Sequence, residues 1–421
     1  MGEWKTYAVG DVVEVFDGPH ATPNKTDRGP WFLSISSLVS GRLDLEQSAH
    51  LSEADYERWT RRVTPQEGDL LFSYETRLGE AALMPSGIRA CLGRRMGLLR
   101  PKRSVLRPDF LLYAYLGPEF QQVIAERSVH GATVDRIPLV DLPRWPIRLP
   151  APDEQQAIAE VLGALDDKIV LNERIATTAR TLCRAVMGAL WNSAGLPSLT
   201  DSEGALVEGW RRTTLGQLCA EGGGSIQTGP FGSQLHASDY VESGIPSVMP
   251  QNIGDNVISE SGIARITSSD AERLSKYLLA EGDIVYSRRG DVKRRALVRE
   301  HEAGWLCGTG CLRVRVGMST SPLFVSYYLG EPAVQDWIAQ HAVGATMPNL
   351  NTSILGEAPV VLPPTDVVNR VHERLAAIDA SAAHVTHENR TLAELRDTLL
   401  PQLITGKLRV KDAIRAVEEA V

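Results

Sequence analysis

Two long stretches of the chain place apolar residues at alternating steps of three and four positions. One stretch follows Pro150 and the other follows Pro363. This spacing is the heptad pattern of helices that pair along a seam. The first predicted seam consists of Ile158, Val161, Leu165, Lys168, Asn172, Ile175, Ala179, Leu182, Val186 and Ala189. The second consists of Val371, Leu375, Ile378, Ala382, Val385, Asn389, Leu392, Arg396 and Leu399.

Each predicted seam contains one asparagine, Asn172 in the first and Asn389 in the second. A buried asparagine lowers the stability of a helix pair but fixes its register and its partner. Two such helices in one chain can pair antiparallel, and a helix of about 35–40 residues spans roughly 50–60 Å. The pattern therefore predicts a long coiled-coil spacer, with an ordinary packed helix pair as the alternative.

The segment before each seam has a different pattern, in which short alternating stretches are separated by Gly and Pro. Glu67–Ser73 returns as Glu281–Ser287, and Pro146–Pro150 returns as Pro359–Pro363, about 213 residues later. A repeat this long exceeds the roughly 20–50-residue units of a solenoid. It indicates two whole domains, each followed by its own helix, and hence an α+β molecule with pseudo-two-fold symmetry.

The repeat and the seams divide the chain into six segments. They are a first domain (1–150), a first long helix (151–193), a polar, turn-rich linker (194–208), a second domain (209–364), a second long helix (365–404) and a tail of unassigned role (405–421). Asp109–Gly117 and Leu323–Gly330 are predicted helices within the two domains. We expect their aromatic side chains to pack in the core rather than to form a base-stacking platform.

Composition narrows the class of protein. The hydrophobic fraction of 43% and the charged fraction of 23% are typical of a soluble globular protein. No apolar run reaches the roughly 18 residues of a membrane span, and no secretory signal precedes the first domain. Five scattered cysteines favour a reducing cytoplasm over a disulfide framework. Cys307 and Cys311 lack the second pair that a structural zinc site needs, so no metal is expected.

The charge distribution points to local basic surfaces on an acidic chain. The net charge is −8, yet Arg89–Arg103 contains six basic residues and no acid, and Arg288–Arg299 contains six basic residues and one acid. A strongly basic balance is common in isolated DNA-binding domains, so the total charge argues against one. Both stretches, including Arg295, can nevertheless face phosphate. A solvated run of charges is the alternative interpretation.

The second domain contains a glycine-rich segment, Thr228–Leu235, followed by Asn252 and by a strand that ends in Arg288 and Arg289. Glycine allows close approach of the backbone to a partner. Arginine forks suit guanine edges and phosphates, and Asn or Gln suits adenine. In the first domain the same place contains Arg77. A glycine-rich structural turn is the alternative.

Motifs for catalysis are missing from the sequence. Gly222–Gly224 is not followed by the Lys and Ser or Thr of a phosphate loop, and no nucleophile elbow or zinc-protease motif occurs. Gly308–Gly310 is only a short glycine pair without a counterpart in the first domain, which argues against a methyl-donor pocket. A binding protein is therefore favoured over an enzyme.

Particular motifs resemble a known family, the specificity (S) subunits of type I restriction–modification systems. Gly229–Leu235 followed by Asp239-Tyr240 resembles one class of target-recognition domain of that family. Asp17–Pro23, together with Gly68–Ser73 and Leu92–Arg95, resembles another class. The resemblance covers nearly the whole chain, and the order of the motifs across the two copies carries it.

The resemblance implies a non-catalytic DNA-recognition subunit of a host-defence complex. Each recognition domain reads half of a split target in double-stranded DNA, and the half-sites differ because the two domains differ in class. Two antiparallel spacer helices hold the halves apart and dock two methyltransferase subunits, with restriction subunits joining the complex. Catalysis and cofactor binding belong to those partners, so neither is expected in this chain. The alternative is a DNA methyltransferase or nuclease with fused recognition domains.

The candidate DNA-contacting residues come from these motifs and from the basic stretches. Those of the first domain are His20, Thr22, Lys25, Tyr74, Arg77, Arg94 and Arg95. Those of the second domain are Phe231, Ser233, Gln234, Asn252, Arg288, Arg289, Lys293 and Arg294. Asn172 and Asn389 are the candidates for fixing the register of the spacer helices.

Overall fold

The computed structural model describes residues 4–19, 21–131, 134–195, 199–200, 206–344 and 348–420. The chain forms two compact units. Unit 1 consists of Met1–Glu173 and His387–Val421, and unit 2 consists of Arg174–Thr386. Each unit therefore contains one recognition-type domain together with part of each long helix.

The first domain begins and ends with strands that pair with each other. Its strands are β1 (Lys5–Ala8), β2 (Val13–Asp17), β3 (Lys25–Leu33), β4 (Leu38–Val39), β5 (Arg42–Leu43), β6 (Ala49–Leu51), β7 (Leu70–Ser73), β8 (Ala81–Leu83), β9 (Ala90–Leu92), β10 (Met96–Pro101) and β11 (Pro146–Leu149). Its helices are α1 (Val9–Val12), α2 (Glu53–Trp59), α3 (Pro108–Leu116) and α4 (Pro118–Arg127), and the long helix α5 (Pro152–Ser193) follows.

The second domain repeats this order. Its strands are β12 (Arg211–Thr214), β13 (Ser225–Thr228), β14 (Tyr240–Val241), β15 (Ile245–Val248), β16 (Ala264–Ile266), β17 (Ile284–Ser287), β18 (Arg295–Leu297), β19 (Leu306–Cys307), β20 (Cys311–Arg315) and β21 (Pro359–Leu362). Its helices are α6 (Leu215–Glu221), α7 (Ser268–Arg273), α8 (Pro322–Tyr328), α9 (Pro332–His341) and α10 (Thr352–Gly356), and the long helix α11 (Thr365–Ile404) follows.

The sheets of the two domains have the same topology. An antiparallel four-stranded sheet has the order β2-β10-β7-β8 in the first domain and β13-β20-β17-β18 in the second. A second sheet contains one parallel pair in each domain, β3 with β9 and β15 with β19. The first and last strands pair antiparallel, β1 with β11 and β12 with β21. The duplication seen in the sequence is therefore a duplication of the fold.

The repeated Gly-Asp motif has the same structural role in both domains. Gly68 and Gly282 have positive φ values of 85° and 82°, which glycine tolerates best. The buried Asp69 carboxylate accepts two hydrogen bonds from the Arg100 guanidinium, at 2.8 and 2.7 Å. Asp283 accepts two from Arg315 in the same way, both at 2.6 Å. The motif therefore ties neighbouring strands together instead of forming a ligand site.

The aromatic helices pack in the cores, as predicted. Phe110 and Tyr115 of α3 are buried among the strands of the first domain, and Phe324 and Tyr328 of α8 are buried in the second. Each domain also joins its long helix through a tyrosine hydroxyl. Tyr113 and Tyr327 belong to α3 and α8, and they donate to Asp166 and Asp379, respectively, both at 2.8 Å.

The two long helices run antiparallel, which confirms the predicted spacer pair. In unit 1, Arg396 donates to Asp166 at 2.9 Å and Asn172 donates to Glu388 at 2.7 Å, so residue numbers rise on α5 as they fall on α11. In unit 2, the Cys183 thiol faces the carbonyl of Leu375, again with opposite chain directions. At 1.5 Å per residue, each helix is roughly 60 Å long.

Both predicted seam asparagines lie against the opposite helix. Asn172 is 0% exposed, and Asn389 donates to the carbonyl of Ile169 at 3.0 Å. The amide oxygens of both asparagines lack a hydrogen-bond partner among the described residues. Such unsatisfied polar atoms lower the stability of the helix pair. The predicted role of these residues is therefore to fix the register of the two helices and not to stabilise them.

The predicted seam of α5 is only half right. Its alternate members Ile158, Leu165, Asn172 and Ala179 are buried, but the members between them lie one position later, at Leu162, Ile169, Ala176 and Cys183. Ile175 and Leu182, which the heptad pattern placed in the seam, are exposed. The seam residues can be spaced three and then four positions apart, or four and then three. Both spacings fit the sequence, because α5 has apolar residues on both sides of the seam.

The tail beyond α11 forms a further helix, α12 (Val410–Ala420). Ala413 is fully buried in the core of unit 1, and Val410 and Val417 pack against the same core. The ring of Trp4 lies against Gly406, so both ends of the described chain meet in this unit. No helix within the described ranges combines the length and apolar character needed to cross a bilayer.

Candidate nucleic-acid interface

Loops at one end of the main sheet are joined by hydrogen bonds in the first domain. The N–H of Gly18 donates to the carbonyl of Met96 at 2.9 Å, and the N–H of Tyr74 donates to that of Arg95 at 3.1 Å. Ile137 donates to the carbonyl of Tyr74 at 2.8 Å and brings in the loop after α4. We call this set of loops, 18–19, 21–22, 74–77, 93–95 and 134–138, loop cluster 1.

The second domain repeats these hydrogen bonds. Gly229 donates to the carbonyl of Cys311 at 2.9 Å, and Arg288 donates to that of Gly310 at 2.8 Å. Leu350 donates to the carbonyl of Arg288 at 2.8 Å. Loops 229–233, 288–291, 308–310 and 348–350 form loop cluster 2. The two clusters bring together most of the motifs that the sequence singled out.

The first glycine of each cluster is required by close backbone contact. A Cβ atom on Gly18 would lie 2.5 Å from the carbonyl oxygen of Gly93, and one on Gly229 would lie 2.1 Å from that of Gly308. Both distances are far below van der Waals contact. The Gly-Pro pair is therefore a structural element that positions the loop, and Thr22, Phe231 and Ser233 after it are exposed.

Equivalent positions of the clusters hold different side chains. Tyr74 occupies the place that Arg288 has in the second domain, because both follow the same strand and make the same backbone bonds. Tyr74 is 5% exposed and packs in the core, and burial is the main cause that raises its pKa. The Tyr74 side chain is therefore buried in this conformation, and its contact with DNA stays a prediction. Tyr74, and not Arg77, is the counterpart of Arg288.

Arg77 is also committed to the fold. Its guanidinium donates to the carbonyls of Ile35 and Leu38, at 3.1 and 3.0 Å, and forms an ion pair with Glu80. Arg95 has a positive φ of 73° and forms an ion pair with Glu75 at 3.0 Å. These contacts explain why two of the predicted arginines hold loop cluster 1 together.

Arg94 is one of the predicted cations, and loop cluster 1 leaves it available. Its side chain is exposed and forms no hydrogen bond or ion pair with another described residue. Thr22 and Lys25 are exposed as well, on the loop and at the start of β3. His20 lies outside the described residues. The accessible predicted residues of the first domain are therefore Thr22, Lys25 and Arg94.

Loop cluster 2 exposes a cation and an aromatic ring together. Phe231 is 55% exposed, and the guanidinium carbon of Arg288 lies over its ring, 5.9 Å from the centroid. Arg289 and Ser233 are exposed beside them in the sequence. Neither arginine forms an ion pair with another residue in the described ranges. These four side chains are the predicted residues that the second domain presents to a ligand.

Gln234 and Asn252 use their amides within the protein. The Gln234 carbonyl oxygen accepts from the N–H of Phe231 at 3.2 Å and from the Tyr277 hydroxyl at 2.8 Å. Asn252 is buried, accepts from the N–H of Met249 and donates to the carbonyl of Ser259, both at 3.1 Å. The Asn252 amide is therefore occupied within the protein in this conformation, and its contact with DNA stays a prediction.

The rest of the second basic stretch is neutralised by acids. Lys293 pairs with Asp336 at 2.6 Å, and Arg294 pairs with Asp291 at 3.2 Å. Arg295 is 1% exposed and donates to the carbonyl of Ser326 at 2.7 Å. The expectation that Arg295 faces phosphate is wrong, and burial lowers its pKa.

Most of the first basic stretch is neutralised in the same manner. Arg89 pairs with Glu53, Arg100 pairs with Asp69, and the Lys102 ammonium donates to two backbone carbonyls. Runs of six basic residues are thus reduced to one or two available cations in each cluster.

Two further exposed arginines were missed by the sequence analysis. Arg28 lies on the exposed half of β3, and Arg136 lies in loop cluster 1, bridged by its backbone to Glu75. Neither guanidinium is paired with another described residue. The repeat could have indicated Arg136, because Asn349 makes the equivalent bridge to Arg289 in the second domain.

The described residues contain no group of three or more potential metal-ligating side chains. All five cysteines are free and buried. Burial is the first cause that raises the pKa of Cys91 and Cys307, in each case to about 12. These thiols are protonated core residues and not candidate nucleophiles.

The duplicated fold is similar to that of a solved S subunit of a type I restriction–modification system from M. genitalium. The two structures superpose with a TM-score of 0.56 over 96% of each chain, at 17% sequence identity. This similarity defines the fold class.

Sequence comparisons find similar proteins of the same kind. Residues 1–179 match the family model of the type I restriction modification DNA specificity domain. The putative type I restriction enzyme MjaX specificity subunit of Methanocaldococcus jannaschii is 24% identical, over 97% of this chain and 94% of the relative. The type I restriction enzyme HindI specificity subunit of Haemophilus influenzae is 20% identical, over 97% of this chain and all of the relative. Over nearly its whole length the chain is therefore similar to type I restriction–modification specificity subunits.

Proposed function

We propose that this chain is the subunit that reads the DNA target of a type I restriction–modification complex. The observation that carries the proposal is the pair of equivalent loop clusters, each of which presents at least one arginine without an acidic partner among the described residues. Because free guanidinium groups bind guanine edges and phosphates, each cluster is suited to a DNA groove. The similarity to specificity subunits supports a non-catalytic component, so the fused-enzyme alternative is not favoured.

The two half-sites should differ in sequence. At equivalent positions, loop cluster 1 has the buried Tyr74 where loop cluster 2 has Arg288. Loop cluster 1 instead presents Arg94 from a different loop. Since the cation reaches the surface from a different loop in each domain, the pattern of base contacts differs between them.

We further propose that α5 and α11 set the distance between the half-sites and dock two methyltransferase subunits, with restriction subunits joining the assembly. The support is the length of the antiparallel helices together with Leu171 and Leu182, which are about half exposed on α5. We place the complex in the cytoplasm, in keeping with five free cysteines.

Methylation profiling of cellular DNA tests the proposal. Cells that express the chain with its methyltransferase partners should carry methylation at one bipartite motif, and cells without the chain should lack it. Expression of the partners with a chain from which either domain is deleted should abolish the bipartite pattern. Methylation by the purified chain alone, given methyl donor and DNA, would instead establish the enzyme alternative.

A further inference from the structure

Phe231 is an exposed aromatic side chain at the tip of a loop in loop cluster 2. With 55% of its surface accessible, the ring contributes little to the core of the domain. Its immediate neighbours in the chain, Gly232 and Ser233, are exposed and polar or small. The ring therefore does not continue into an apolar run of the chain, as it would in a broad hydrophobic patch of the kind that binds another protein.

The loop that carries Phe231 is braced from below. The carbonyl oxygen of the Gln234 side chain accepts both the Phe231 N–H, at 3.2 Å, and the Tyr277 hydroxyl, at 2.8 Å. Tyr277 is buried, and Arg273 donates to the backbone carbonyl of Gln234 at 2.8 Å. Gly229 fixes the other end of the loop by its close packing against Gly308. The backbone that carries the ring is thus held in place before any ligand arrives, which reduces the entropy lost on binding.

Arg288 and Phe231 are arranged as a pair. The guanidinium carbon of Arg288 lies over the ring at 5.9 Å from its centroid, within the range of a cation–π contact. The Nε atom of Arg288 is buried without a hydrogen-bond partner among the described residues. The stacked ring therefore orients the arginine while the outer edge of the guanidinium stays open for a bidentate contact.

We propose that Phe231 makes an apolar contact with the C5 methyl group of a thymine in the second half-site, next to a guanine contacted by Arg288. This inference rests on the proposed DNA-reading function. The 5.9 Å separation corresponds to between one and two base-pair steps of about 3.4 Å. In the major groove, guanine offers two acceptors to an arginine fork and thymine offers a methyl group to an apolar side chain. Gln234 and Tyr277 act as positioning residues for the ring.

Uracil substitution tests the contact with the full-length chain assembled with its methyltransferase subunits. The target is first defined by methylation profiling, and each thymine of both half-sites is then replaced singly by deoxyuridine in a synthetic duplex. Binding by the unmodified chain should weaken about fourfold at one position of the second half-site, the effect expected for one buried methyl group. The Phe231→Ala chain should bind the thymine and uracil duplexes equally at that position.

Matched controls separate positioning from contact. Phe231→Leu keeps an apolar side chain and should retain part of the preference for thymine. Tyr277→Phe removes one hydrogen bond from the brace and should reduce the preference without changing the guanine requirement. Uracil substitutions in the first half-site should have the same effect in every variant, since that half-site is read by the other domain.

Several outcomes would overturn the inference. They are a second half-site without thymine, equal binding of all uracil duplexes by the unmodified chain, and unchanged uracil sensitivity in Phe231→Ala. Equal weakening of thymine and uracil duplexes by Phe231→Ala, with increased fluorescence of a neighbouring 2-aminopurine, would identify a base-unstacking wedge instead. If the complex with the unmodified chain showed no preference for the motif over random DNA, the proposed function itself would be refuted.

Discussion

Replacing Arg288 with alanine should change which second half-site is accepted and leave the first half-site unaffected. Arg288 has no acidic partner among the described residues, and its guanidinium is held over the Phe231 ring. Arg294, six residues later in the same basic stretch, is paired with the exposed Asp291. The two arginines therefore form a matched pair, in which one cation is available for a base and the other is partly neutralised.

The expected size of the effect follows from the type of contact. A bidentate arginine contact contributes about 1–3 kcal/mol of discrimination against the wrong base. Since about 1.4 kcal/mol is a tenfold change in Kd, Arg288→Ala should reduce discrimination at one base pair by roughly 5- to 150-fold. An exposed ion pair is worth at most about 1 kcal/mol, so Arg294→Ala should leave discrimination nearly unchanged.

Competition binding measures this directly. Duplexes carrying every single substitution in both half-sites compete for the assembled complex, first with the unmodified chain and then with each variant. Thermal unfolding of both variants checks that the second domain remains folded. Uniform weakening of all duplexes by Arg288→Ala would show that the residue contacts phosphate, and an equal change of preference in both half-sites would refute independent reading by two domains.

Three further outcomes are expected. Asp379→Asn removes the carboxylate that accepts a hydrogen bond from Tyr327 in the core of unit 2. Chemical denaturation should show a loss of about 3–5 kcal/mol in the free energy of unfolding for this variant, against about 1.5–3 kcal/mol for Tyr327→Phe. Four residues inserted after Asn172 add about 6 Å to α5, so methylation profiling should find a longer unspecified spacer between unchanged half-sites. An unchanged spacer length in an active complex would contradict the proposal that the helix sets the distance. Burial raises the pKa of Cys307 to about 12, above the value of about 8.5 for an unfolded chain, so its stabilising contribution should be complete below about pH 8.5 and lost as pH rises toward 12. Denaturation curves between pH 8 and 11 measure that loss, and a free energy of unfolding that rises with pH would contradict it.

The long helices show where a pattern suffices and where it does not. In α11 the predicted residues Val371, Leu375, Leu392 and Leu399 are buried. In α5 the predicted Leu182 is exposed. The prediction failed there because a helix with apolar residues on adjacent faces fits two orders of steps. The choice between them depends on which face meets the second helix and the domain, and that information is not local in sequence.

The sequence by itself determined the duplication, the two long helices and the glycines that seat each loop cluster, because these depend on spacing and on backbone conformations that few residues tolerate. The tertiary structure alone decided which charges are available to DNA. Arg100 finds its carboxylate partner at Asp69, and Arg299 finds its partner at Asp379 on α11, far away in the sequence. Ion pairing and burial depend on contacts between distant segments, so identical arginines in one basic run become a core residue, a paired surface charge or an arginine without an acidic partner among the described residues.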